Sequence, residues 1–208
     1  MEAKEIIHVI GNGDLATLYT PAKGLKIVCN MPAFQVENVY ATCMVDYKMM
    51  ACLHEGNVKL DMYSWVLGVR PRHWMEMKPD FYMKYAHCVK EFYPTVPDYA
   101  ENPTNFNCGH MAVHYSANKL KGKQIHMYGF DTLFDFNIRS STDTYLNSDR
   151  SNQNNYRLIG NWRPIWPQIF KEFKNTEFVL YHYHNDVKIK LPDNVRVQIR
   201  NAKTKKNM

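Results

Sequence analysis

The sequence predicts an α/β protein with a Rossmann-like, mostly parallel sheet flanked by helices. Three observations carry this expectation. Ile6-Ile7-His8-Val9-Ile10 is a β-branched run that stops at Gly11-Asn12-Gly13. Lys26-Ile27-Val28-Cys29 repeats the pattern and stops at Asn30. Further on, small residues between Gly109 and Ala117 suggest a helix packed closely on a sheet, followed by a strand at Gln124-Ile125-His126-Met127-Tyr128 and a turn at Gly129-Phe130-Asp131. In a parallel sheet, residues just past the carboxyl ends of strands face the ligand crevice.

The elements follow in order. The first strand covers 5–10, and the helix after it is short because Pro21 and Gly24 close it. Tyr40 to Val45 reads as a third strand that places Asp46 as Asn12 and Asn30 are placed; Lys48 to Leu53 is a brief helix. Val58-Lys59-Leu60 and Trp65-Val66-Leu67 are candidate short strands. Residues 71–104 form an irregular aromatic insertion rich in tyrosine and proline, with a modest helix near 80–91. Asn107 is a helix N-cap candidate. The polar stretch 132–157 has the character of a substrate loop or lid. Ile165, Trp166, Ile169, Phe170 and Phe173 give one helical face, with Pro164 near its first turn, and Phe178 to His182 a late strand. Residues 187–191 and 195–199 both alternate, so Pro192-Asp193-Asn194 makes either a hairpin or an extended return.

Composition narrows the function classes. A chain of 208 residues, 45% hydrophobic and 22% charged, fits one globular domain over 1–199 with a basic tail over 200–208. No apolar run approaches the roughly 18 residues of a membrane span. Met1-Glu2-Ala3-Lys4-Glu5 does not resemble a secretory signal. The five cysteines are odd in number and widely spaced, which points to free thiols in a reducing, cytoplasmic setting. The net charge of +6, partly from Arg200, Lys203, Lys205 and Lys206, admits nucleic-acid contact through the tail or a phosphorylated substrate. Plentiful asparagine, methionine and tyrosine lend the composition a viral cast.

Candidate site residues cluster at the turns. Gly11 and Gly13 permit close backbone approach, although neither a third Rossmann glycine nor a P-loop Gly-Lys-Ser/Thr follows. The Asn12 and Asn30 carboxamides can pair with a base, sugar or phosphate, while Asn30 can equally cap its own turn. Asp131 is placed to hold a hydroxyl or a base edge. His110 and His114 share a helical face, but Met111 stands where a zinc protease needs its glutamate. His182 and His184 share a strand face. No third ligand accompanies His110 and His114, and His182 and His184 make either a two-histidine ligand pair or edge-strand packing, so no metal centre is assigned.

Taken together, Ile10-Gly11-Asn12-Gly13, Cys29-Asn30, Asn107-Cys108-Gly109 and Tyr128-Gly129-Phe130-Asp131 resemble the small bacterial lipooligosaccharide sialyltransferase-like glycosyltransferases. The resemblance spans residues 5–131 in order, with 160–180 as a looser final helix and strand. It implies a metal-independent transferase with a nucleotide-sugar donor, a CMP-linked sugar being the family example, and a sugar or glycan hydroxyl as acceptor. Gly11, Asn12, Gly13, Asn30, Asn107, Cys108, Gly109 and Asp131 would then hold the donor. Tyr145 or Tyr156 would lie near the leaving phosphate, with His110, His114 and Asp131 as alternative acid–base or positioning groups. One departure is chemical: Asn161 stands at the best match for the family's general-base histidine, and asparagine does not transfer that proton at neutral pH. A nucleotide- or nucleic-acid-binding protein without catalysis is the competing expectation.

Overall fold

The computed structural model describes residues 5–135 and 157–201. Eight strands form one sheet: β1 Ile6–Ile10, β2 Leu25–Cys29, β3 Val39–Met44, β4 Trp65–Leu67, β5 Val89–Phe92, β6 Gln124–Tyr128, β7 Glu177–His182 and β8 Val195–Ile199. Their spatial order is β5-β4-β3-β2-β1-β6-β7-β8, and every neighbouring pair is parallel. The five main helices are α1 Tyr47–His54, α2 Val69–Met77, α3 Pro79–Tyr85, α4 Cys108–Asn118 and α5 Ile165–Glu172.

Alternation along the strands builds three layers. Ile7, Val9, Ile125, Met127, Phe178 and Leu180 point to one face and pack with residues of α4 and α5. On the opposite face, Met44, Trp65 and Leu67 pack with residues of α1, α2 and α3. Beside them, Ile10, Val28, Tyr128, Val179 and Tyr181 are covered by Ala16, Leu18, Tyr19 and Val36 rather than by a long helix. With both faces covered, a fully parallel sheet is stable. Strand order and face agree: the chain steps one way from β1 to β5 and the other way from β6 to β8. Right-handed crossovers then send the two sets of connections to opposite faces. The reversal leaves a topological switch point between β1 and β6.

Several local expectations are revised. The first helix is a single 3₁₀ turn, Asp14–Leu18. The aromatic insertion is more ordered than its composition implies. Its expected helix ends at Tyr85, and Val89–Phe92 becomes edge strand β5 by pairing with β4. Val58–Leu60 is not a strand; the Leu60 carbonyl accepts the Trp65 indole N–H at 2.8 Å. The hairpin alternative does not form, because β8 runs parallel to β7. Residues 187–191 instead make an extended return, with Val187, Ile189 and Leu191 packed on the core of the α4/α5 face. The Asn194 amide anchors this return by donating to the carbonyls of Phe170, Phe173 and Thr176 at 2.9, 3.2 and 3.0 Å. Arg200 also belongs to the folded domain rather than to a tail. It donates to the Leu18 carbonyl at 3.1 Å, and its guanidinium lies 4.2 Å from the Tyr181 ring centroid.

Candidate functional site

The predicted turns converge on the carboxyl edge of the sheet, around the β1/β6 switch point. Each continues the ladder beyond its strand. The Gly11 N–H donates to the Tyr128 carbonyl at 2.8 Å, Gly13 to Gly129 at 3.0 Å, and Asn30 to Cys43 at 2.9 Å. This explains the glycines without a ligand. A Cβ on Gly11 would sit 2.7 Å from the Gly129 carbonyl oxygen, and one on Gly13 would sit 2.6 Å from Asp131 Oδ2. The close approach that these glycines permit is between two segments of the chain itself.

Asp131 joins the two turns. Its Oδ2 accepts the Leu15 backbone N–H at 3.0 Å, so a carboxylate already occupies the start of the 3₁₀ turn. Its Oδ1 is enclosed and has no partner. Burial pushes the Asp131 carboxyl up to about 6, with the charges of Asp14 and Asp135 adding to the rise and the Leu15 amide opposing it.

Asn30 turns the chain off β2 in the left-handed region, at φ 52°. Asparagine tolerates that conformation better than most residues. Its backbone carbonyl accepts the Thr42 hydroxyl at 2.5 Å, and its buried side-chain Oδ1 has no partner. Asn12 Oδ1 is likewise enclosed without a partner. Three strands adjacent in the sheet, β2, β1 and β6, therefore each end in an orphaned acceptor oxygen.

The start of α4 closes the arrangement. Asn107 is the N-cap: its Oδ1 accepts the His110 N–H at 3.0 Å, while the Asn107 N–H donates to His110 Nδ1 at 3.2 Å. Helix geometry leaves the Cys108 and Gly109 amides without intrahelical acceptors. A Cβ on Gly109 would meet Phe130 at 3.0 Å, which sets the helix start against the β6 turn. The buried Cys108 thiol donates to the Cys43 carbonyl at 2.8 Å, and burial holds its pKa well above the ordinary thiol value. Cys108 thus offers its backbone to this edge and not a nucleophile. Asp46, the fourth strand-end residue, is paired with Arg70 at 2.7 Å.

His110 and His114 do share a helical face, but it is turned into the packing against α5. Both His110 ring nitrogens are engaged, Nδ1 in the capping box and Nε2 with the Trp162 carbonyl at 3.1 Å. Burial lowers its pKa to about 3. His114 Nδ1 pairs with the Tyr93 hydroxyl at 2.7 Å, and its Nε2 faces Glu172 at 3.4 Å, beyond a well-formed hydrogen bond. His110 has no free ring nitrogen, and the unpartnered His114 Nε2 faces Glu172 of α5 and not the sheet edge. Asn107 likewise acts as a cap through its side chain. Tyr145, Tyr156, Lys203, Lys205 and Lys206 lie outside the described residues. Asn161 is in a π-helical turn, Arg157–Trp162, and is half-buried.

One constellation was not anticipated. No third ligand for His182 and His184 is visible along the chain, yet folding brings Asp135 to both. The only local hint is an acid shortly after β6 and a His-x-His pair at the end of β7, strands that prove to be neighbours.

No described helix is long and apolar enough to cross a membrane. Compared with protein-family models, with curated proteins and with solved structures, the chain matches none, so its Rossmann-like architecture and the chemistry of this edge carry the functional reading.

Proposed function

We propose that this protein binds a nucleotide-class ligand at the carboxyl edge of β1, β2 and β6, beneath the start of α4. The observation that carries this reading is the trio of enclosed, unpartnered oxygens, Asn12 Oδ1, Asn30 Oδ1 and Asp131 Oδ1, at adjacent strand ends. A buried polar atom without a partner costs about 1–3 kcal/mol. Three of them beside a switch point match a ligand that donates hydrogen bonds, such as ribose hydroxyls and a base amino group. The Cys108 and Gly109 amides supply donors for the ligand's phosphate.

A second reading, transfer of the sugar from a nucleotide-activated donor to a hydroxyl, has one specific observation in its favour. Asp131 titrates near 6 and keeps Oδ1 unpartnered, which suits a general base at neutral pH. It would take the place left by Asn161 and by the buried histidines.

Thermal shift and calorimetry with free nucleotides and nucleotide sugars test binding. A selective shift is expected, and Asn30→Gly should weaken binding at least about tenfold while leaving the fold intact, because glycine accepts the positive φ. Absence of a shift with every nucleotide would sink the proposal. Release of free nucleotide from a nucleotide sugar, lost in Asp131→Asn, separates transfer from binding alone.

A further inference from the structure

We propose that Asp135, His182 and His184 form a binding site for a divalent transition metal of the zinc type, with three protein ligands and an open coordination position. One ligand atom from each residue lies within 4.8 Å of the others. His182 Nε2 is 3.5 Å from Asp135 Oδ2, and His184 Nε2 is 3.4 Å from Asp135 Oδ1. These spacings are too long for good hydrogen bonds, whose N···O distance is about 2.7–3.2 Å. The two imidazoles face different oxygens of one carboxylate, at spacings close to those between ligands of a common ion. Metal–ligand distances of about 2.0–2.1 Å give a tetrahedral edge of roughly 3.3–3.4 Å.

The site is built, not accidental surface proximity. His182 is fully buried, and its Nε2 has no hydrogen-bond partner. Its ring is clamped by Phe134, stacked 3.9 Å away at an interplanar angle of 5°. The segment carrying Asp135 is held from behind. Arg163 donates to the carbonyls of Thr132 and Asp135 at 2.8 and 2.9 Å, and the Lys188 N–H donates to Leu133 at 2.8 Å. A clamped imidazole and a braced backbone at Asp135 are features of a preorganised metal site. Two imidazoles and one carboxylate suit zinc and neighbouring first-row ions, and three protein ligands leave room for water or an anion.

The protons must move. The His184 backbone N–H points at His182 Nδ1 across a long 3.4 Å, and the Asp186 backbone N–H donates to His184 Nδ1 at 3.2 Å. Both contacts place the ring proton on Nε2. Coordination through Nε2 transfers each proton to Nδ1, with no net release, and turns the amides of His184 and Asp186 away. Asn185 and Asp186 are exposed and tied by the Asp186–Lys188 ion pair, so the turn rearranges with little loss of packing.

The test uses the full chain, purified with chelator and titrated with Zn²⁺ by calorimetry and with Co²⁺ by visible absorption. One equivalent should bind, with the intense absorption of four-coordinate cobalt, and chelator should reverse it. Asp135→Asn and His184→Gln, neither at a fully buried side chain, should each weaken binding by about 100-fold or more. His126→Gln, in a histidine remote from the cluster, should leave affinity unchanged. Failure to bind one equivalent, or unchanged affinity in both Asp135→Asn and His184→Gln, would overturn the assignment. A folded His184→Gln chain, confirmed by its melting transition, ensures that lost binding reports lost ligation.

Discussion

Asp131 Oδ2 accepts the backbone N–H of Leu15 at 3.0 Å, across 116 residues of chain. This bond joins the turn after β6 to the 3₁₀ turn after β1, and it puts an acid where a phosphate would sit in a glycine-rich nucleotide loop. Burying the carboxyl there raises its pKa to about 6 even though the Leu15 amide pulls the other way.

That shift fixes a pH dependence. The native state binds the Asp131 proton more tightly than the unfolded chain does, whose value is near 3.8. Stability is therefore lost as pH rises from about 4 to about 6, and the penalty is complete above that window. Asp131→Asn should stabilise the protein by about 3 kcal/mol at pH 8, with the gain vanishing below about pH 4. Chemical denaturation at several pH values measures it; a pH-independent effect would contradict the shift.

The glycine turn should be intolerant for structural reasons. Gly13→Ala places a Cβ 2.6 Å from Asp131 Oδ2 and 2.7 Å from the Gly129 carbonyl oxygen. A loss of about 1–3 kcal/mol is expected, as for other overpacked sites. Gly160→Ala meets nothing within 4 Å and should be nearly neutral. Equal melting temperatures for the two variants would refute the contact argument.

Histidines withdrawn from solvent should control acid unfolding. Desolvation depresses the buried His110 to about 3 and the half-buried His126 to about 4. The stability from holding them neutral is fully present above the unfolded value of about 6.5. It is lost as pH falls toward their folded values. His110→Gln should flatten the acid limb of the stability profile, and the His110 imidazole resonance should not titrate between pH 5 and 8.

All five thiols are buried, and burial raises the pKa of Cys43, Cys52, Cys88 and Cys108. A thiol reagent should therefore react slowly with the native chain and promptly in denaturant. Rapid native-state labelling of Cys108 would show that its contact with the Cys43 carbonyl does not persist.

Arg200 closes the aromatic face of β6 and β7 through Tyr181, Leu18 and Thr20. Arg200→Ala should destabilise the domain by about 1–2 kcal/mol, whereas Arg200→Lys should recover only part of this, since a planar guanidinium stacks and forks in a way an ammonium does not.

What the sequence determined by itself was local. Alternation located most of the strands, the Asn107 cap marked the start of α4, and asparagine or aspartate at the strand ends marked the edge where the orphaned oxygens lie. These features depend on neighbours within a few residues, so they can be read along the chain. Tertiary structure decided the rest. Val89–Phe92 became a strand only because β4 offered an edge. His110 became a cap and core residue because Trp162 and Asn107 took its nitrogens. Asp131 reached Leu15, and Asp135 reached His182 and His184, because adjacent parallel strands bring together residues far apart in sequence. No periodicity records such meetings; strand order sets them, and strand order follows from the crossovers that bury both faces of the sheet.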